Sequence, residues 1–135
     1  MQTVSQVSIS HQAAQQLVSQ AVDVAEAMGI AVSTCVVDIH GRVKAKITMD
    51  GAPVIADELV EKKAKTALLG LSSASFAEAV AGLQDIQHSM LQLEQITLLG
   101  GGYPLLVDGR LVGGFAVGGG TVEQDCQCAE RVLNP

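Results

Sequence analysis

The sequence predicts an α+β domain: a central antiparallel sheet of five strands with helices packed against it. Three observations predict this. Asp108-Gly109 stands between two apolar runs, Tyr103–Val107 and Leu111–Val117. Asp-Gly there is a strong hairpin signal, because a type I′ turn needs positive φ at both central positions. Apolar residues recur at helical spacing in stretches on either side of the strand-like runs. Ser75–Glu78 and Thr121–Gln124 have the capping-box pattern that opens a helix. The resulting order is helix, two strands, two helices, three strands, helix, and hairpin connections make the sheet antiparallel.

Each element follows from its residues. The first helix starts at Ser8 or Ser10 and stops at Gly29, with Ala13, Leu17, Val18, Ala21, Val22 and Ala25 on one side. Ile30–Asp38 is β-branched and reads as a buried strand. Asp38–Gly41 is a turn. In Arg42–Met49, Val43, Ala45 and Ile47 alternate with charged or polar residues, which marks a half-exposed strand paired with the one before it. Asp50–Pro53 breaks the pattern. The second helix spans Val54–Leu71, and its basic residues Lys62, Lys63 and Lys65 read as a solvated face. A third helix follows from Ser75, broken at Gly82, and ends near Gln92. Ile96–Leu99 reads as a short strand, the hairpin supplies two more, and the last helix begins after Gly120.

At 135 residues the chain is expected to form one domain, spanning 1–135. Hydrophobic residues make up 48% and charged ones only 16%, so part of the surface is expected to be covered by other subunits. The net charge of −6 argues against nucleic acid or an anionic membrane as partner. No apolar run reaches the roughly 20 residues of a membrane span. The first ten residues lack the features of a signal peptide, and three cysteines do not make a disulfide framework. A reducing cytoplasm is the expected compartment.

No conventional catalytic motif is present. Gly114–Thr121 has P-loop glycine spacing, but Gly120 stands where the phosphate-binding lysine belongs. Gly100–Gly102 opens onto a strand and lacks a third fingerprint glycine at Leu105, so a dinucleotide fold fails. Cys126 and Cys128 lack redox or zinc spacing, and one of them is expected to face the core. Two triple-glycine clusters, Gly100–Gly102 and Gly118–Gly120, imply close approach of backbone to a ligand or to another part of the fold. Gly119 and Gly120 lead into a helix start, which suits a carboxylate or phosphate, although Glu123 and Asp125 compete for the same dipole end. His11 and His88 read as surface positions, with a ligand role as the alternative.

Several blocks in order resemble the GlcG-like domain family, also called the haem-degrading or HbpS-like family. They are Val36–Asp38 with Gly41, Met49–Ala52 and Lys63–Ala67. They continue through Gly100–Gly102 with Pro104, Asp108-Gly109, Val112-Gly113, Gly119–Thr121 and Glu123–Asp125. Thr48 stands where relatives often have Arg, and Gly118 where they often have Ser. The resemblance implies a profilin-like fold and a homo-oligomer, octamer or hexamer. It also implies a small-molecule ligand, with haem as the possible cofactor. Haem-degrading and redox-sensing roles are attached to the family, and other members accompany glycolate, diol or glycerol metabolism.

Axial ligation of haem needs His, Met, Cys or Tyr. His11, His40, His88, Met49, Tyr103 and the cysteines are the available types, with His11 and His88 as the iron candidates and Lys63 or Lys65 as partners for propionates. The expected pocket lies between Gly100, Gly101, Gly102 and Tyr103, the loop with Met49 and Asp50, and the second helix with Lys65. Three readings stay open: a tetrapyrrole-binding oligomer, an enzyme or accessory factor holding a small anionic ligand at its glycine loops, and a structural oligomer whose glycines only allow close packing.

Overall fold

The computed structural model describes all residues 1–135. Helix α1, His11–Met28, is capped by Ser10, whose hydroxyl accepts from the Ala13 N–H at 3.1 Å, and it ends at Gly29 in the left-handed region. Strands β1, Ser33–Asp38, and β2, Val43–Thr48, form the first hairpin. Helix α2, Val54–Thr66, runs into a 3₁₀ turn at Ala67–Leu69. Helices α3, Ser73–Ala79, and α4, Gln84–Leu91, follow. Strands β3, Gly102–Val107, and β4, Arg110–Gly118, form the second hairpin, and α5, Val122–Leu133, closes the chain.

The sheet is antiparallel with order β2-β1-β4-β3. Its two central strands are buried along most of their length. Asp108 and Gly109 both have positive φ, 51° and 76°, as the type I′ turn requires. Helices α1 and α5 cover one face, where Val18, Val32, Val36, Phe115, Val117 and Val132 build the larger core. Helix α2 covers the other, over Cys35, Val37 and Ala116. This second core is thin because α2 lies with its backbone almost on the sheet. A Cβ at Gly102 would collide with the Lys63 carbonyl, and one at Gly114 with the Ala64 carbonyl.

Two expectations are corrected. The sheet has four strands, not five: Ile96–Leu99 joins no ladder. Side chains satisfy its backbone instead: the Thr97 N–H donates to the hydroxyl of Thr66 at the end of α2 at 3.0 Å, and the Leu99 N–H to the segment's own Thr97 hydroxyl. The cap expected at Ser75 lies three residues earlier. Ser72 accepts from the Ser75 N–H at 3.1 Å, so α3 starts at Ser73. The break at Gly82 and the capping box of Thr121 and Gln124 agree with expectation.

Candidate functional site

The two glycine clusters meet. β3 and β4 pair with Gly102 opposite Ala116, so Gly100–Gly102 and Gly118–Gly120 lie side by side at one end of the ladder. The Val117 N–H donates to the Gly101 carbonyl at 3.0 Å, which extends the pairing into the cluster. Beneath them lies an ion pair that sequence reasoning missed. Lys63 of α2 reaches through to α5, its Nζ 2.8 Å from Asp125 Oδ2 and 3.2 Å from the Val117 carbonyl, with the two side chains 1% and 3% exposed. The other carboxylate oxygen, Asp125 Oδ1, accepts from the Gly120 N–H at 2.8 Å. The Thr121 N–H is taken by Gln124 Oε1 at 2.9 Å.

The chemical meaning is direct. A glycine nest at a helix start attracts an anion. Here the chain supplies its own, the Asp125 carboxylate, and Lys63 neutralises it. Gly120 therefore holds an internal carboxylate. On the other side Gly101 and Gly102 pack on Lys63, and the Gly102 N–H donates to the Ser73 hydroxyl at 2.9 Å. The sequence did carry a signal. Lys63 falls on the same helical side as Val60, Ala64 and Ala67, and a lysine at a core position must be paired.

Lys65 is placed apart from this pair. It sits two residues beyond Lys63, about 200° around the helix, and turns away from the glycine clusters. It lies 4.0 Å from Glu61, at a surface groove of about 510 Å³ shared with Glu58, Lys62 and Glu94. Met49 packs against the larger core and its Sδ accepts from the Val32 N–H at 3.4 Å, while Asp50 is exposed in the turn. Tyr103 is half-buried and its hydroxyl donates to Glu130 of α5 at 2.8 Å. Burial and the neighbouring Glu130 and Cys126 push the phenol well above its ordinary value.

The polar residues at the β2 end form their own chain. Lys46 pairs with Asp57 at 2.7 Å and Glu61 at 3.0 Å. Burial alone would lower this lysine, but the two carboxylates outweigh it and raise it. Thr48 bridges Ser33 and Asp57 at 3.1 and 3.3 Å, so it is engaged locally. Asp38 works as turn chemistry suggests. Burial would raise its carboxyl, but the N–H groups of Arg42 and His40 and the Arg42 guanidinium hold it below the usual range.

The two iron candidates are on different elements. His11 opens α1 and lines a groove of about 320 Å³ between α1 and β2, with Val18, Ala45 and Ile47 as apolar wall and Lys44 and Lys46 beside it. An imidazole beside an apolar wall suits a haem edge, and Lys44 is the ammonium left to it, since Lys46 is paired with Asp57 and Glu61. His88 stands exposed on α4. No three His, Cys, Asp or Glu side chains converge as a metal-binding group. No helix is long and apolar enough to cross a membrane.

Comparison with known proteins agrees with the fold. A family model described as "Haem degrading protein HbpS-like" matches residues 9–134. The chain is 34% identical over 131 residues to corrinoid adenosyltransferase PduO of Salmonella typhimurium, covering 94% of this chain and 38% of that protein. It thus spans about two-fifths of that relative's length. It superposes on the crystal structure of Klebsiella pneumoniae protein ORFY with a TM-score of 0.88 at 32% identity, covering 99% of this chain and 94% of that one. It superposes on the crystal structure of a PduOC:heme complex with a TM-score of 0.80 at 30% identity, covering 94% of both chains. The chain belongs to the HbpS-like haem-degrading protein family.

Proposed function

We propose that this chain is a tetrapyrrole-binding protein that works as an assembly of several copies, with haem as its ligand. The observation that carries the reading is the likeness, over 94% of both chains, to a domain crystallised with heme. His11 would hold the haem iron, with Ala45 and Ile47, backed by buried Val18, as the apolar lining and Lys44 as the ammonium available to a propionate. His88 is the second candidate. Bound haem supplies iron-centred redox and ligand chemistry; the residues here bind and orient it.

The anionic-ligand reading loses its main support, because Asp125 already fills the nest at Gly120. A corrinoid is the second macrocycle to test, given the PduO relative. The experiment compares hemin titrations of the wild type, His11→Ala and His88→Ala. The reading expects His11→Ala to weaken binding about tenfold or more and to alter the Soret band, with His88→Ala close to wild type. Identical titrations for all three would refute the His11 assignment. A corrinoid binding curve without a hemin one would replace the ligand.

A further inference from the structure

We infer that Tyr103, Glu130 and Cys126 form a one-electron redox site, at which Tyr103 gives an electron to a peroxyl radical while its proton passes to Glu130. The inference goes beyond the reading above and needs no bound tetrapyrrole.

Composition singles out the phenol. Tyr103 is the only tyrosine and the chain has no tryptophan, so this is the one aromatic ring that gives up an electron readily. The fold fixes its place. The β3–β4 ladder sets Tyr103 directly across from Phe115, which is fully buried, and Tyr103 packs against the larger core. Its hydroxyl lies 2.8 Å from Glu130 of α5, inside the reach of about 2.6–3.2 Å that proton transfer needs. Water is enough to satisfy a half-buried phenol. This one is tied instead to a carboxylate, an acceptor that can keep the proton.

A phenol that loses an electron becomes a strong acid, so the proton leaves with the electron. Glu130 is exposed and forms no ion pair with lysine or arginine, so it is free to take that proton and hand it to water. The other route, ionising the phenol first, is opposed by burial and by the groups around it. Cys126 completes the cluster. It stands four residues before Glu130, on the same side of α5. Its thiol lies beside the phenol, and a Cβ at Gly100 would meet its Sγ at 3.0 Å. Cys35 and Cys128 are buried, so Cys126 is the thiol that reaches both phenol and solvent.

The balance closes. The peroxyl radical gains one electron and becomes a peroxide anion, which takes a proton from solvent. Tyr103 becomes a neutral phenoxyl, and Glu130 releases to solvent the proton it accepted. The Cys126 S–H bond then breaks, and its hydrogen atom forms an O–H bond on the phenoxyl. The phenol is restored and the radical rests on the half-exposed sulfur. A small-molecule thiol returns a hydrogen atom there and carries the radical away.

The test photo-oxidises the full, ligand-free chain with a ruthenium tris-bipyridine complex and a sacrificial electron acceptor. The phenoxyl is followed by transient absorbance and by electron paramagnetic resonance. Wild type is compared with Tyr103→Phe, Glu130→Gln and Cys126→Ser, and far-UV circular dichroism checks that each is folded. Wild type should form a phenoxyl and Tyr103→Phe none. Glu130→Gln keeps a hydrogen-bond acceptor that cannot hold the proton, so it should form the phenoxyl at least about tenfold more slowly, with a smaller slowing in heavy water. Cys126→Ser should form it at the wild-type rate and lose it severalfold more slowly. No phenoxyl in wild type, or a wild-type rate in Glu130→Gln, overturns the site. An unchanged lifetime in Cys126→Ser overturns the return of hydrogen from the thiol. Peroxyl radicals from a water-soluble azo initiator should give the same resonance signal, and its absence overturns the peroxyl radical as oxidant.

Discussion

At the scale of single residues, the Lys63–Asp125 pair organises the molecule. One α2 side chain and one α5 side chain meet between the two glycine clusters, and the Gly120 N–H completes the carboxylate's shell. Removing one partner leaves a buried charge without its counterion, which costs about 3–5 kcal/mol. Lys63→Met and Asp125→Asn should each lower the urea midpoint sharply, and the double variant should lose less than the two singles combined. The thiols give a second prediction. Burial pushes Cys35 up to about 12 and Cys128 up to about 11. Above the ordinary thiol range the native state keeps protons that the unfolded chain releases, so stability falls as pH rises toward these values. In a thiol-modification time course at neutral pH, half-exposed Cys126 should react first and the other two only on unfolding. Asp38 acts at the acid end. Its lowered carboxyl contributes stability that is complete above the ordinary carboxylate range and is lost as pH falls through the lowered value. Asp38→Asn should lower stability at neutral pH and flatten the acid limb of a melting-temperature profile. Asp38 was legible from its turn. Lys63 was misread: its helical side marked it as buried, but three lysines within four positions look like a solvated face, and only the tertiary approach of α5 reveals the partner.

Among the elements, the close seat of α2 on the sheet explains why this chain needs glycines inside β3 and β4. The Gly102 and Gly114 positions are filled by the carbonyls of Lys63 and Ala64. Gly114→Ala should therefore cost at least about 2 kcal/mol, read from urea unfolding. Gly118→Ser should be nearly neutral. A Cβ there meets Lys63 Nζ at 3.6 Å and Val60 at 3.7 Å, which are ordinary contacts. Equal loss in both variants would contradict the packing explanation. Hairpins, helix periods and the Thr121 cap were readable because each rests on local chemistry. Ile96–Leu99 was misread as a strand because its apolar run is local, while the Thr66 side chain that takes its backbone is thirty-one residues away. The glycine clusters were correctly read as sites of close approach. What approaches is mostly the protein itself.

For the whole molecule, a four-stranded antiparallel sheet is covered by α1 and α5 on one face and α2 on the other. Helix α4 and residues 1–7 are exposed beside this body, while Ser8 is bonded to it through Val112 and Ile39. The family resemblance carried by Val36–Asp38, Met49–Ala52 and the glycine blocks agrees with the match to residues 9–134. The pocket expected from those same blocks divides on inspection. Gly100–Gly102 and Gly118–Gly120 do meet, but over Lys63 and Asp125, while Lys65 and Asp50 face solvent elsewhere. Blocks that define a family can thus preserve a fold's internal lock, and the groove proposed above for the ligand lies with less distinctive residues such as His11 and Lys44. The central claim is tetrapyrrole binding. Its most direct test is a titration of the purified wild-type chain with hemin, followed in the Soret region, with native mass measured on the same sample. The account predicts a saturable, stoichiometric spectral shift on an intact assembly. A linear, non-saturating response with no mass increment would contradict it.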